Sequence, residues 1–222
     1  PQTKMIWHRM APALAKHFTV IVSDLRGYGA SSKPQGLADH STYSKQAMAS
    51  DQAQLMNALG FSHYGVLGHD RGGRVAHRLA LDYGKQVNKL MVLDISPTLA
   101  MYEQTTMQFA SSYWHWFFLI QKAPIPETMI GANTEFFMKQ FMGGRHAGLS
   151  IFAPECWQEY ILAMSDPACL HAMCEDYRAG ATIDLEHWKK DLQNKIQCPQ
   201  SFFCLIWWST IKLWNLRQRE QA

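Results

Sequence analysis

The feature that most constrains this chain is the stretch Gly68-His69-Asp70-Arg71-Gly72-Gly73. An apolar run, 64–67, leads into it and a helix-patterned run, 74–83, leads out. The spacing Gly-x-Asp-x-Gly sets a small residue on either side of a central polar one. Such a layout turns a strand sharply into a helix and lifts one side chain above a sheet, as a nucleophile elbow does. Glycines are expected at its flanks because the turn brings backbone and helix too close for a Cβ. The raised residue is Asp70. A carboxylate suits displacement of a leaving group at a saturated carbon, which leaves an alkyl ester on the protein. The alternative is a tight strand-to-helix turn in which Asp70 acts as an N-cap.

Arg71 and Arg74 follow, three residues apart at a helix start, so that both can point to one side. Guanidinium groups grip carboxylates in bidentate fashion. Beside an elbow, the pair points to a substrate with a carboxylate next to the attacked carbon. Elsewhere on a helix the same two residues would read as solvated charges.

A chain of 222 residues holds one sizeable core, typical of one domain with an insertion. Apolar residues make up 47% and charged ones 18%, which excludes a disordered chain. The net charge of +3 is small and dispersed, which argues against nucleic acid as a partner, although Arg217 and Arg219 cluster near the end. Five cysteines without a Cys-x-x-Cys pair read as reduced thiols in a cytoplasmic protein. No secretory leader opens the sequence, and the longest apolar run, 202–208, is too short to span a bilayer. The chain begins at Pro1, in mid-motif, and reads as a fragment. No His or Cys spacing suggests a metal.

Along the chain, residues 4–17 carry apolar positions at helical spacing, with Pro12 as a complication. Residues 18–22 read as a short β-branched strand ending at Asp24, and 24–29 as a Gly-rich turn with a structural role. Residues 44–59 form an amphipathic helix ended by Gly60. Residues 63–67 are the elbow strand, and 87–93 a further buried strand because its apolar residues scarcely alternate. Strands alternating with helices predict βαβ units and a parallel sheet. From 98 to about 185 the pattern is aromatic and Met-rich at helical spacing, broken by Pro124 and Pro126, with no strand. A strand returns around 196–204.

The stretches PQTKMIWHRMAP, DLRGYGASSKP, GHDRGGR, LDISPT, YWHWFFLIQKAPIPE and MCEDYRAGATIDLEH, spread from residue 1 to about 190, together resemble the fluoroacetate (haloacetate) dehalogenases of the α/β-hydrolase fold. The combination of GHDRGGR with the later HW and CEDYRAG is specific. The resemblance implies a mostly parallel sheet flanked by helices, with a helical cap inserted over the elbow. The division would be core 1–97, cap 98–185, a return to the core over 186–204 and a divergent tail over 205–222. It implies Asp70 as nucleophile, Arg71 and Arg74 on the substrate carboxylate, and Asp94 as the acid that orients a catalytic histidine. His115, Trp116 and Tyr177 would form the halide pocket, each supplying one hydrogen-bond donor. Without the resemblance, His115 and Trp116 read as part of an aromatic core stripe. The implied reaction is in-line attack on a haloacetate, then hydrolysis of the Asp70 ester to glycolate. It needs no cofactor, only a small haloacid substrate, no nucleic acid and no membrane; a homodimer is compatible with it.

The sequence departs from the family in several places. The general-base histidine expected in a Gly-Gly-His-type loop is missing, since 205–222 contains no histidine. His171 and His187 both fall in the cap-derived part. The His-Gly-Phe segment and the strands before PQT are absent, which is expected to open a gap in the sheet. Gly143 and Gly144 stand where relatives often carry a Trp. The expectation is therefore alkylation of Asp70 without turnover. Two competing readings are an epoxide hydrolase, against which Arg71 in place of Trp argues, and a non-catalytic remnant that binds small carboxylates.

Overall fold

A computed structural model describes residues 1–143 and 148–203. In chain order its elements are α1 (Ala11–Leu14), α2 (Lys45–Ala58), β1 (Tyr64–His69), α3 (Arg71–Asp82), β2 (Val87–Leu93), α4 (Thr98–Glu103), α5 (Met107–Ser112), α6 (Trp114–Phe118), α7 (Ile125–Gly131), α8 (Thr134–Gly143), α9 (Pro154–Met164), α10 (Pro167–Ala181), α11 (Ile183–Lys190) and β3 (Gln200–Phe203). Short 3-10 turns occupy Lys4–Trp7, Ser41–Tyr43 and Gly148–Ile151. The chain divides into two compact units. One comprises 1–37 with 115–178, the other 38–114 with residues from 179 onward. These divisions do not coincide with the core–cap boundaries at 97 and 185.

The second unit is α/β. Its parallel sheet runs in the order β1-β2-β3. α3 packs on β1 and β2, and α2 packs on α3. Helix α2 forms where the pattern predicts. Ser44 caps it by accepting the Ala47 N–H at 3.2 Å, and Gly60 beyond its end takes φ +85°. The β1–β2 register pairs Val66 with Leu90 and His69 with Leu93, so both strands end level with each other. Strand β2 is less buried than its apolar run suggests. Val87, Leu90 and Val92 are buried, Met91 and Leu93 only partly, and Asn88 and Lys89 are exposed. Its inward face alternates, as in a strand covered on one side.

In the first unit, Pro12 splits the helical pattern over 4–17. It sits in the first turn of α1, where its missing N–H costs nothing, and cannot continue the 3-10 turn before it. The expected strand over 18–22 is not formed. β-branched residues favour a strand only when a neighbour supplies ladder hydrogen bonds, and among the described residues this segment has no ladder partner. The Gly-rich turn is structural, as its pattern predicts. Asp24 accepts the Lys4 N–H at 2.6 Å and the Ala30 N–H at 3.1 Å. Gly29, at φ +49°, lies so close to the Asp24 carboxylate that a Cβ would collide with it. Residues 98–181 are helical with no strand among the described residues, as expected. The four described cysteines, Cys156, Cys169, Cys174 and Cys198, are free. The returning strand begins later than expected, at Gln200, and is described to Phe203; Arg217, Arg219 and the divergent tail lie outside the described residues.

The turn after β1 makes unequal use of its glycines. A Cβ on Gly68 would strike the Gly72 carbonyl and stand 2.8 Å from the Ala76 Cβ, and one on Gly73 would stand 3.1 Å from Ile95 Cγ2. A Cβ on Gly72 meets nothing within 4 Å, so crowding does not explain that glycine. Gly68→Ala is therefore expected to destabilise by about 2 kcal/mol or more through overpacking. Gly72→Ala should be neutral or stabilising by up to about 1 kcal/mol, as for Ala over Gly in a helix. Denaturant unfolding of the two variants checks the contrast.

Candidate active site

Asp70 stands between β1 and α3 at φ +46°, ψ −117°. That is a conformation L residues rarely adopt, with a cost of about 1–3 kcal/mol. Its N–H donates to the Leu93 carbonyl of β2 at 3.3 Å, and its carbonyl accepts the Arg74 N–H at 3.2 Å. It holds the N-cap position of α3, yet its side chain makes no capping hydrogen bond. The capping alternative therefore fails.

Burial pushes the Asp70 carboxyl up, while the positive charges of His69, Arg71 and Arg74 together outweigh it and hold the group below the usual carboxylate range. Asp94 occupies the same level on the neighbouring strand, one residue past β2. It too has positive φ, +52°, and its N–H donates to the Phe203 carbonyl at 2.7 Å. Its side chain is exposed.

Both arginines are buried, and each is seated differently. The Arg74 Nη1 donates to the Ser96 carbonyl at 2.6 Å and to Thr98 Oγ1 at 2.8 Å, and Nη2 to Met101 Sδ at 3.3 Å. The Arg71 guanidinium lies against α10 at Gly180, where a Cβ would stand 3.3 Å from Nη2. Ser96 and Thr98 lie in LDISPT and Gly180 in CEDYRAG, but nothing in those stretches marks them as neighbours of the arginines, and Met101 lies in none of them.

His115, Trp116 and Tyr177 belong to the other unit, and all three are buried. The structure gathers them: the Tyr177 ring is edge-on to both His115 and Trp116, with centroids 6.1 Å away in each case. The surroundings of Tyr177 are rigidly tied. Its neighbour Asp176 accepts the Tyr28 hydroxyl at 2.7 Å, which links the motifs DLRGYG and CEDYRAG. Its other neighbour, Arg178, donates to Glu127 at 2.7 and 3.0 Å, to Glu175 at 2.9 Å and to the Gln121 carbonyl at 2.7 Å. The predicted residues thus form two sets, Asp70, Arg71, Arg74 and Asp94 in one unit and the three donors in the other. His171 is engaged with Glu127 at 2.9 Å. Gly144 lies outside the described residues.

Residues 1–154 match the alpha/beta hydrolase fold family. The chain belongs to that family. It is 50% identical over 204 residues to a fluoroacetate dehalogenase of Burkholderia sp, covering 91% of this chain and 67% of the relative. It is also 32% identical to a soluble epoxide hydrolase of Corynebacterium sp. (strain C12), over 90% of this chain and 68% of that one. Among solved structures, a protein of Nostoc sp PCC 7120 described as an alpha/beta hydrolase superposes with a TM-score of 0.93 at 48% identity, over 98% of this chain and 77% of its own. The elbow, its Asp and the parallel strands beside it are thus the core of an α/β hydrolase. No helix among the described residues is long and apolar enough to cross a membrane.

Because the Asp70 carboxyl is held low, its ionised form favours folding above the ordinary carboxylate pKa, and that contribution is lost as pH falls through the depressed folded value. Arg74→Met removes one of the depressing charges and is expected to raise the Asp70 titration midpoint. Carbon NMR of the Asp70 carboxyl in both proteins measures it.

Proposed function

We propose that this α/β hydrolase acts on the carbon–halogen bond of haloacetates, fluoroacetate among them. The reading rests above all on Asp70. It sits on a strained turn, its carboxylate makes no capping bond, and cationic neighbours hold it below the usual carboxylate range. Similarity to the Burkholderia fluoroacetate dehalogenase supports the same reading.

In the proposed reaction Arg71 and Arg74 hold the substrate carboxylate, so that its α-carbon faces Asp70. An Asp70 oxygen attacks that carbon as the C–F bond breaks, and the bonding pair leaves with fluoride. Reacting groups held in line gain most of their advantage from lost orientational freedom. Fluoride is small and strongly hydrated, so it needs donors in place of water; the His115 ring N–H, the Trp116 indole N–H and the Tyr177 hydroxyl are assigned to it. Water then adds to the Asp70 carboxyl carbon. Glycolate leaves, the Asp70 carboxylate is regenerated and one proton is released. Asp94 is assigned to orient the imidazole that activates this water.

An epoxide hydrolase is the second reading, favoured by the Corynebacterium relative. The guanidinium pair beside the nucleophile favours an anionic substrate instead. Incubation with fluoroacetate is expected to give fluoride and a carboxymethyl ester on Asp70, trapped by rapid denaturation and seen by peptide mass spectrometry, with neither in Asp70→Asn. Ring opening of styrene oxide with no fluoride from fluoroacetate would favour the epoxide reading.

The seat of Arg74 gives a second test. Thr98→Val removes a hydrogen bond to a charged group, worth about 1.5–3 kcal/mol. Reaction with chloroacetate is expected to need about ten- to a hundredfold more substrate, while reaction with chloroacetamide, which has no carboxylate, stays unchanged. Rates of halide release from the two compounds provide the comparison.

A further inference from the structure

The first unit holds a cluster of donor side chains that the proposed reaction does not use. His8 ends the 3-10 turn Lys4–Trp7, with its backbone N–H on the Met5 carbonyl at 3.1 Å. Glu155 and Cys156 lie in the first turn of α9. The Cys156 Sγ is 3.4 Å from His8 Nδ1, and one donor atom from each of the three residues lies within 4.8 Å of the others. Cys156 is buried, His8 half-buried and Glu155 exposed, so the cluster opens to solvent on its carboxylate side.

We propose that His8, Glu155 and Cys156 form a binding site for a thiophilic divalent cation, with Zn²⁺ the best match. Zinc bonds of about 2.3 Å to sulfur and 2.0 Å to nitrogen, at a tetrahedral angle, set the two donors roughly 3.5 Å apart. The observed separation is 3.4 Å. A thiolate, an imidazole and a carboxylate together select zinc over magnesium or calcium, which prefer all-oxygen shells. Three protein ligands leave a fourth position for water.

Proton bookkeeping is simple. His8 Nδ1 now lies 2.8 Å from the Met5 carbonyl, which can only accept, so that nitrogen carries the ring proton. Binding moves the ring proton to Nε2, frees Nδ1 for the ion and sends the Cys156 thiol proton to solvent. One proton is released per ion and no redox step occurs. The ligands come from the 3-10 turn and from α9, far apart in sequence. The ion would therefore staple the start of the chain to α9.

The test uses the full chain and zinc alone, followed by cobalt as a spectroscopic substitute. One zinc per chain is expected by calorimetry, with heat that varies with buffer as a proton is released. Cobalt should give a thiolate charge-transfer band in the near ultraviolet. Cys156→Ser should abolish the band. Glu155→Gln, a surface change that leaves the fold intact, should weaken zinc binding at least about tenfold, since even outer-shell changes cost that much. A cobalt complex without the band, zinc affinity unchanged in Cys156→Ser or Glu155→Gln, or no binding in the full chain would each overturn the site.

Discussion

The positive-φ backbone at Asp70 is the constraint on which the α/β unit depends. A chain enters that conformation only where its surroundings leave no other path. Here β1 runs parallel to β2, and α3 must fold back over both within a single residue. Gly68 lets the incoming strand touch the outgoing helix, and the Leu93 carbonyl fixes the Asp70 N–H to the neighbouring strand. The same hydrogen bond brings Asp70 and Asp94 to one level at the carboxyl ends of the strands, where open α/β sheets place their ligands.

Helix α3 then carries three buried arginines, and their different fates show how one helix separates structure from chemistry. Arg78 is bridged by two carboxylates, Asp82 and Asp191, and stacks over Trp188 at 5.4 Å. Those contacts neutralise it, and it serves as a structural tie. Arg74 donates to a carbonyl, a hydroxyl and a thioether, and its charge acts on the Asp70 carboxylate. The Arg71 guanidinium packs over Gly180, where a Cβ would stand 3.3 Å from Nη2.

The other unit sets aromatic edges in a charged frame. Tyr177 is flanked in sequence by Asp176 and Arg178, and each neighbour is committed to a distant segment, Tyr28 in one case and Glu127 with Gln121 in the other. A helix face fixed at both neighbouring positions leaves Tyr177 little rotational freedom. Buried ion pairs contribute more to specifying such an arrangement than to net stability in some proteins, and Glu127, Glu175 and Arg178 fit that use.

Much of this was legible in the residues alone. The double glycine and the apolar strand marked the elbow, and Ser44 with Gly60 marked both ends of α2, because turns and caps are governed by local stereochemistry. The aromatic run over 98–185 announced helices for the same reason. The strand over 18–22 failed because a strand is completed by its neighbours, and its own propensity could not supply them. Family likeness, more than pattern, singled out His115, Trp116 and Tyr177. What only the tertiary structure decided was the seating of the charges: Thr98, Ser96 and Met101 around Arg74, and the packing of Arg71 over Gly180. These contacts join residues far apart in sequence, and nothing in their local spacing encodes which charge each will meet. The turn was written in the sequence; the partners that aim its arginines existed only once the chain had folded.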